Sequence, residues 1–123
     1  MVRSYIDPEE WSPQEIVLER NALQAVKTQE NTFVVAGPGA GKTELLAQRA
    51  CFLLQTNTCK SPKRILAISF KTDATTNLAD RVLKRCGSEL AERFDSTTFD
   101  SFAKGLLDRF CLGLPENHRP SSH

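Results

Sequence analysis

The residues best equipped for chemistry cluster in one stretch, FVVAGPGAGKTELL, residues 33–46. Its centre fits the phosphate-cradling pattern G-x-x-x-x-G-K-[ST], with Ala36 in place of the first glycine. Ala36, Gly37, Pro38, Gly39, Ala40, Gly41, Lys42, Thr43 and Glu44 are the candidate nucleotide-binding residues. Gly37, Gly39 and Gly41 let the backbone curl and aim successive N–H groups inward. A helix opening near Lys42 adds its positive end to the same point. Lys42 is a compact charge for the β- and γ-phosphates, and the Thr43 hydroxyl is a ligand for Mg²⁺. Lys42 and Thr43 are thus the candidate catalytic groups. The loop predicts a nucleoside triphosphate site and does not identify the base.

Such a loop must be held between a strand and a helix. Residues 33–36, FVVA, read as a short buried strand, and residues 43–56 as the helix after it. Upstream, Ser12, Pro13 and Glu15 form a capping box that predicts a helix running to about Lys27. Downstream, RILAISF at residues 64–70 is a continuous apolar run, the pattern of a parallel strand covered on both faces. Residues 73–86 have helical spacing, and Gly87 is placed to stop them. RFDSTTF, residues 93–99, holds a short third strand. Phe99, Phe102, Ala103, Leu106, Leu107 and Phe110 then recur as an amphipathic stripe. Alternating strands and helices predict an α/β fold, a parallel sheet with flanking helices, and such sheets bind ligands at the carboxyl ends of their strands.

The chain has 123 residues, 40% of them hydrophobic and 25% charged, with a net charge of +1. That is one ordinary domain, and its near-neutral balance gives no independent sign of a nucleic-acid partner. Cys51, Cys59, Cys86 and Cys111 form no Cys-x-x-Cys pair. Cys51, Cys86 and Cys111 fall inside helical patterns, so the four read as buried reduced thiols rather than a zinc site or disulfide framework, which suits a cytoplasmic protein. No apolar run reaches the roughly 20 residues that span a bilayer, so no membrane partner is expected. Residues 1–11 read as a loosely held arm and residues 113–123 as a flexible tail.

Three segments in order carry a family resemblance. VVAGPGAGKTELLAQRACFLL, ILAISFKTDATTNLADRV and STTFDSFAKGLL resemble the first three motif regions of UvrD/Rep/PcrA-type superfamily 1 helicases, from about Leu18 to Phe110. The resemblance implies a P-loop NTPase (RecA-like) partial domain over residues 12–112, ATP and Mg²⁺ as cofactors, and single-stranded DNA as partner. Movement from 3′ to 5′ is usual in that family. Carried over, Ser69, Phe70 and Lys71 occupy the Thr-Phe-Thr positions of the DNA path, with Asn77 in the helix that follows. Thr98, Phe99 and Ser101 match the Thr-Phe-His-Ser positions. Taken alone, the residues favour Phe70 closing the core and Lys71 in solvent; the resemblance turns both toward DNA. For Phe99, which opens the apolar stripe, core is the preferred reading over DNA contact.

The sequence also departs from the family. Asp100 stands where His is usual and would repel a phosphate backbone. Ala22 aligns roughly with the adenine-reading glutamine, and Gln24 and Gln14 lie nearby. No apolar strand ending in Asp-Glu follows the third motif, so the acid that helps hold Mg²⁺ and the water-orienting group are missing from these residues. The expectation is an N-terminal piece of a longer helicase chain that supplies the remaining domains, or a truncated relative. The alternative is a module that holds nucleotide without turnover. A small kinase or GTPase is the weakest reading, since no Arg-rich lid and no Asn-Lys-x-Asp guanine reader occur.

Overall fold

A computed structural model describes residues 5–13, 18–35 and 41–111. In chain order the elements are α1 (Arg20–Lys27), α2 (Gly41–Gln55), β1 (Ile65–Ser69), α3 (Thr72–Ala91), β2 (Phe94–Thr98) and α4 (Phe99–Cys111). The result is a mixed α/β structure around a two-stranded sheet. β1 and β2 pair in parallel, with Ile65 opposite Phe94 and Ser69 opposite Thr98. Parallel neighbours need a long crossover, and α3 is that crossover.

α2 is the central element. One side packs with Trp11, Val26, Cys51 and Phe52 in a cluster that also takes in Leu18, Leu23 and Leu45. The other side offers Ala47 and Ala50 to Leu78 and Val82 of α3, above Ile65, Ala67 and Phe94 of the sheet. Two small alanines on that face let α3 approach closely, and burial on both sides explains why α2 carries apolar residues nearly all round. Arg49 ties α2 to α1. Its Nη1 donates to the carbonyls of Ala25, Val26 and Thr28 at 3.3, 3.1 and 2.6 Å. These groups end α1 without intrahelical partners, so one guanidinium satisfies them and complements the helix's negative end.

Several expectations are corrected. The N-terminal helix starts at Arg20, with Glu19 as its extended cap; Ser12 and Pro13 are not helical. Gln14 and Glu15 lie outside the described residues. The arm is docked where it is described. Trp11 is buried, its ring meets Phe52 edge-on at 5.4 Å, and its Nε1 donates to Gln55 Oε1 at 2.7 Å. A large ring with one polar handle buries well when the handle finds a partner. The tail from residue 112 lies outside the described residues.

The strand expected at residues 33–36 does not form over residues 33–35, which have no ladder partner and expose Phe33 and Val35 almost fully. Extended backbone becomes a strand only when a neighbour takes its hydrogen bonds. β1 is covered well on one face only: Ile65 and Ala67 are half-buried, while Leu66 and Ile68 are exposed. On that second face lies α4, which packs lightly. A gap of about 440 Å³ lined by Leu66, Thr97, Phe102 and Leu106 separates it from the strands. Hence Phe102 alone of the amphipathic stripe is half-buried, and Phe99, Ala103, Leu106, Leu107 and Phe110 are exposed. Gly87 interrupts α3 as expected, at φ +85°, but the chain re-enters helix and continues to Ala91. Only glycine takes that φ without strain.

Candidate functional site

Of the candidate nucleotide-binding residues, those from Gly41 onward are described; Ala36, Gly37, Pro38, Gly39 and Ala40 lie outside the described residues. α2 begins at Gly41, with Lys42 and Thr43 in its first turn, where a helix presents its positive end. A side chain added at Gly41 would meet nothing within 4 Å, which leaves open space at the helix entrance. Lys42 is exposed and Thr43 half-buried. Lys42 also borders a cavity of about 150 Å³ with Ala25, Val34, Leu45 and Arg49. This donor set, a helix start with an ammonium and a hydroxyl, fits a phosphate group and its counter-ion. A larger cleft, about 230 Å³ between α2 and β1, is lined by apolar residues and Arg49, which already caps α1. It holds no reactive set.

The Glu44 side chain lies in the α2–α3 interface. Its side chain is only 14% exposed, and its carboxylate meets Arg85 Nη2 at 2.5 Å and Arg81 Nη1 at 3.4 Å, both on α3. Successive helix residues turn by about 100°, so Glu44 lies roughly 200° round α2 from Lys42. The two arginines escaped the sequence reading. Their spacing of four residues on α3 was the available signal, but their partner sits on another helix.

The second half of the site lies at the carboxyl end of the sheet. Ser69 closes β1 opposite Thr98, the last residue of β2. Each strand is then followed by a phenylalanine. Phe70 is 90% exposed and Phe99 50% exposed, with ring centroids 6.2 Å apart and planes inclined by 41°. The preference for Phe99 in the core is thereby corrected. It opens α4 beyond the sheet, where no described element covers it, and leans on Phe70 instead. Thr98 Oγ1 accepts the Ser101 N–H at 3.2 Å and bonds Ser101 Oγ at 3.0 Å, a side-chain cap that fixes the start of α4. Lys71, exposed, is the cap residue of α3, and its carbonyl accepts the Thr75 hydroxyl at 3.1 Å. Asn77 is exposed on α3 and joins the cluster through no hydrogen bond or register pairing. Asp100 sits exposed in the first turn of α4, where a carboxylate complements the helix end.

Comparison with known proteins matches residues 18–117 to the UvrD/REP helicase N-terminal domain. The chain belongs to the UvrD/REP helicase family. Among similar proteins, the ATP-dependent DNA helicase PcrA of Staphylococcus aureus (strain Mu50) is 38% identical over 97 residues, covering 76% of this chain and 13% of that protein. The probable DNA helicase II homolog of Mycoplasma genitalium is 36% identical over 85 residues, covering 68% of this chain and 12% of its own length. PcrA of Leuconostoc citreum is 33% identical over 103 residues, 81% of this chain and 14% of that protein. This UvrD/REP member thus spans about one-eighth of the length of these relatives. The matched span runs from just before α1 through α4, so it contains both halves of the site.

Away from the site, the thiols are structural. Cys51 is buried and Cys59 and Cys86 are half-buried, all three reduced. Hydrogen bonding to Cys86, then burial, pushes the Cys51 thiol far above its ordinary range, so it is not a nucleophile at neutral pH. Among the described residues, no helix is long and apolar enough to cross a membrane.

Proposed function

We propose that this chain forms the phosphate-loop, RecA-like portion of an ATP-driven DNA translocase that moves 3′ to 5′ along a single strand. Gly37 to Thr43 cradle the triphosphate, Lys42 neutralises its terminal phosphates and Thr43 ligates Mg²⁺. Phe70 and Phe99 stack on bases, while Ser69, Lys71, Thr98, Ser101 and Asn77 line the strand's path. The observation that carries this reading is the exposed Phe70–Phe99 pair at the shared end of two parallel strands. An aromatic left 90% exposed does nothing for the core, and aromatic platforms beside a cation are how single strands are held without regard to sequence. Family membership and relatives named as ATP-dependent DNA helicases support the same assignment.

The cycle would place ATP at the start of α2 and DNA at the start of α3 and α4. These helices pack through α2–α3, so occupancy of one seat can bias the other. Residues beyond these, in the remaining helicase domains, supply the Mg²⁺-holding acid, the water-orienting group and the arginines for the transition state. On that reading the 123 residues alone bind ATP but turn it over negligibly, in the cytoplasm. The test is calorimetric titration with Mg·ATP and Mg·GTP, followed by steady-state ATPase with single-stranded DNA. ATP binding lost in Lys42→Ala supports the site; equal binding in that variant refutes it. Strong DNA-stimulated turnover by the 123 residues would refute the division of labour.

A further inference from the structure

Glu44 poses a problem of charge. It follows Thr43 directly, in the first turn of α2, where the proposed site must admit several negative phosphate charges. A free carboxylate there would compete for the positive helix end and repel the ligand. The structure turns it away. The side chain enters the α2–α3 interface, where Arg85 Nη2 and Arg81 Nη1 bracket its two oxygens. Arg85 is itself only 10% exposed, so this is a sheltered pair little screened by salt. Two cations on one carboxylate more than cancel its charge.

We propose that Arg85, assisted by Arg81, is a positioning residue for the triphosphate: it holds Glu44 off the phosphate seat and cancels its charge. Nucleotide affinity then depends on an arginine that never touches nucleotide, placed on the helix that begins beside Phe70 and Lys71. The inference rests on the phosphate-loop reading above. It differs from a merely structural ion pair in one respect. If the pair only glued α2 to α3, removing either partner would do similar harm, and removing both would not restore affinity. If Arg85 restrains a harmful carboxylate, loss of the arginine hurts binding and loss of the carboxylate does not.

The experiment is an equilibrium titration of the full protein with a fluorescent, non-hydrolysable ATP analogue and Mg²⁺. The variants are Arg85→Met, Glu44→Gln, their combination, Arg85→Lys, Arg81→Met and Lys42→Ala. Arg85→Met is expected to bind about tenfold more weakly, the scale of one unit charge released near the phosphates. Glu44→Gln binds as wild type or tighter. The double variant returns to within about twofold of wild type, since the harmful charge is gone. Arg85→Lys keeps the charge and stays close to wild type. A folded Arg85→Met with unchanged affinity overturns the inference, as does a double variant as weak as Arg85→Met. If Arg85→Met does not fold by circular dichroism, the more exposed Arg81→Met decides. A weakening of about threefold, relieved by Glu44→Gln, supports the proposal, and no change overturns it. Loss of binding in Lys42→Ala with no effect at Arg85 or Arg81 overturns this inference alone. Wild type without affinity, or Lys42→Ala equal to it, overturns the phosphate-loop reading and this inference together.

Discussion

Truncating Phe70 to alanine separates a DNA contact from a packing role, because the two predict opposite balances of stability and affinity. Phe70 is 90% exposed, so alanine removes almost no buried area. Exposed substitutions of this kind stay within about 0.5 kcal/mol. Loss of the contact with Phe99, 6.2 Å away, adds at most about 1.5 kcal/mol. Stacking on a base, in contrast, is worth about 1–3 kcal/mol by alanine substitution, which is about five- to 150-fold in Kd. Phe70→Ala should therefore melt within a few degrees of wild type and bind single-stranded DNA at least fivefold more weakly. The assay is fluorescence anisotropy of a labelled oligonucleotide against the full protein at several salt concentrations. The slope of affinity against salt should stay constant, since no charge has been removed; Lys71→Ala should instead flatten it by about one counterion. Phe99→Ala should act in the same direction as Phe70→Ala and less than additively with it, because the two rings form one surface. Unchanged affinity in a folded Phe70→Ala protein would refute the stacking role. A large fall in stability would return the ring to packing.

Other expected outcomes follow from single contacts. Trp11→Ala deletes the edge-on contact with Phe52 and the bond to Gln55, and should cost about 3–5 kcal/mol, read as a lower urea midpoint; an unchanged midpoint would mean that the arm is not docked. Arg49→Met removes three carbonyl bonds at the end of α1 and should cost about 1–3 kcal/mol, with loss of amide protection from exchange across α1. Asp95 is held below the usual carboxylate range by its hydrogen bonds to Arg64 at 2.7 and 2.8 Å. Its folded value lies below its unfolded value, so the pair's contribution is complete above the unfolded value and fades as pH falls through the folded one. Arg64→Gln should remove that acid-side fall, and the effect should be small because both side chains are about half exposed. Identical acid melts of wild type and Arg64→Gln would show that the pair contributes nothing.

What the sequence revealed, and what it concealed, divides along a physical line. Gly87, the RILAISF strand and the helix after Lys42 were legible because each depends on local chemistry: a residue that tolerates φ +85°, β-branched apolar residues, and a glycine–lysine–threonine helix entrance. Residues 33–35 have equally good strand chemistry and form no strand, since a ladder is a property of two segments. The α4 stripe has faultless helical spacing and is helical, but periodicity says only which face is apolar, not whether anything covers it. Trp11 and Arg49 were invisible for the converse reason. Each is fixed by partners far along the chain, Phe52 and the carbonyls that end α1.

The same line runs through the candidate site. Lys42 and Thr43 are candidates by motif because phosphate recognition asks for adjacent residues at one helix end, and both lie in the first turn of α2. The aromatic pair needed the register: only when Ser69 stands opposite Thr98 do the next residues, Phe70 and Phe99, become neighbours. The ion pairs of Glu44 were hidden because adjacency in sequence is not adjacency in space on a helix, where Lys42 and Glu44 differ by more than half a turn and the partners of Glu44 lie on α3. α2 leaves Lys42 exposed and turns the Glu44 carboxylate to α3, and α3 starts directly behind Phe70 and Lys71. One helix pair therefore links the start of α2 to the exposed aromatic pair, with a carboxylate and two arginines at the joint. Under the proposed function, the phosphate seat and the aromatic platform would be fastened to the same interface, so a shift of α2 against α3 would reach the DNA end without crossing any other described element.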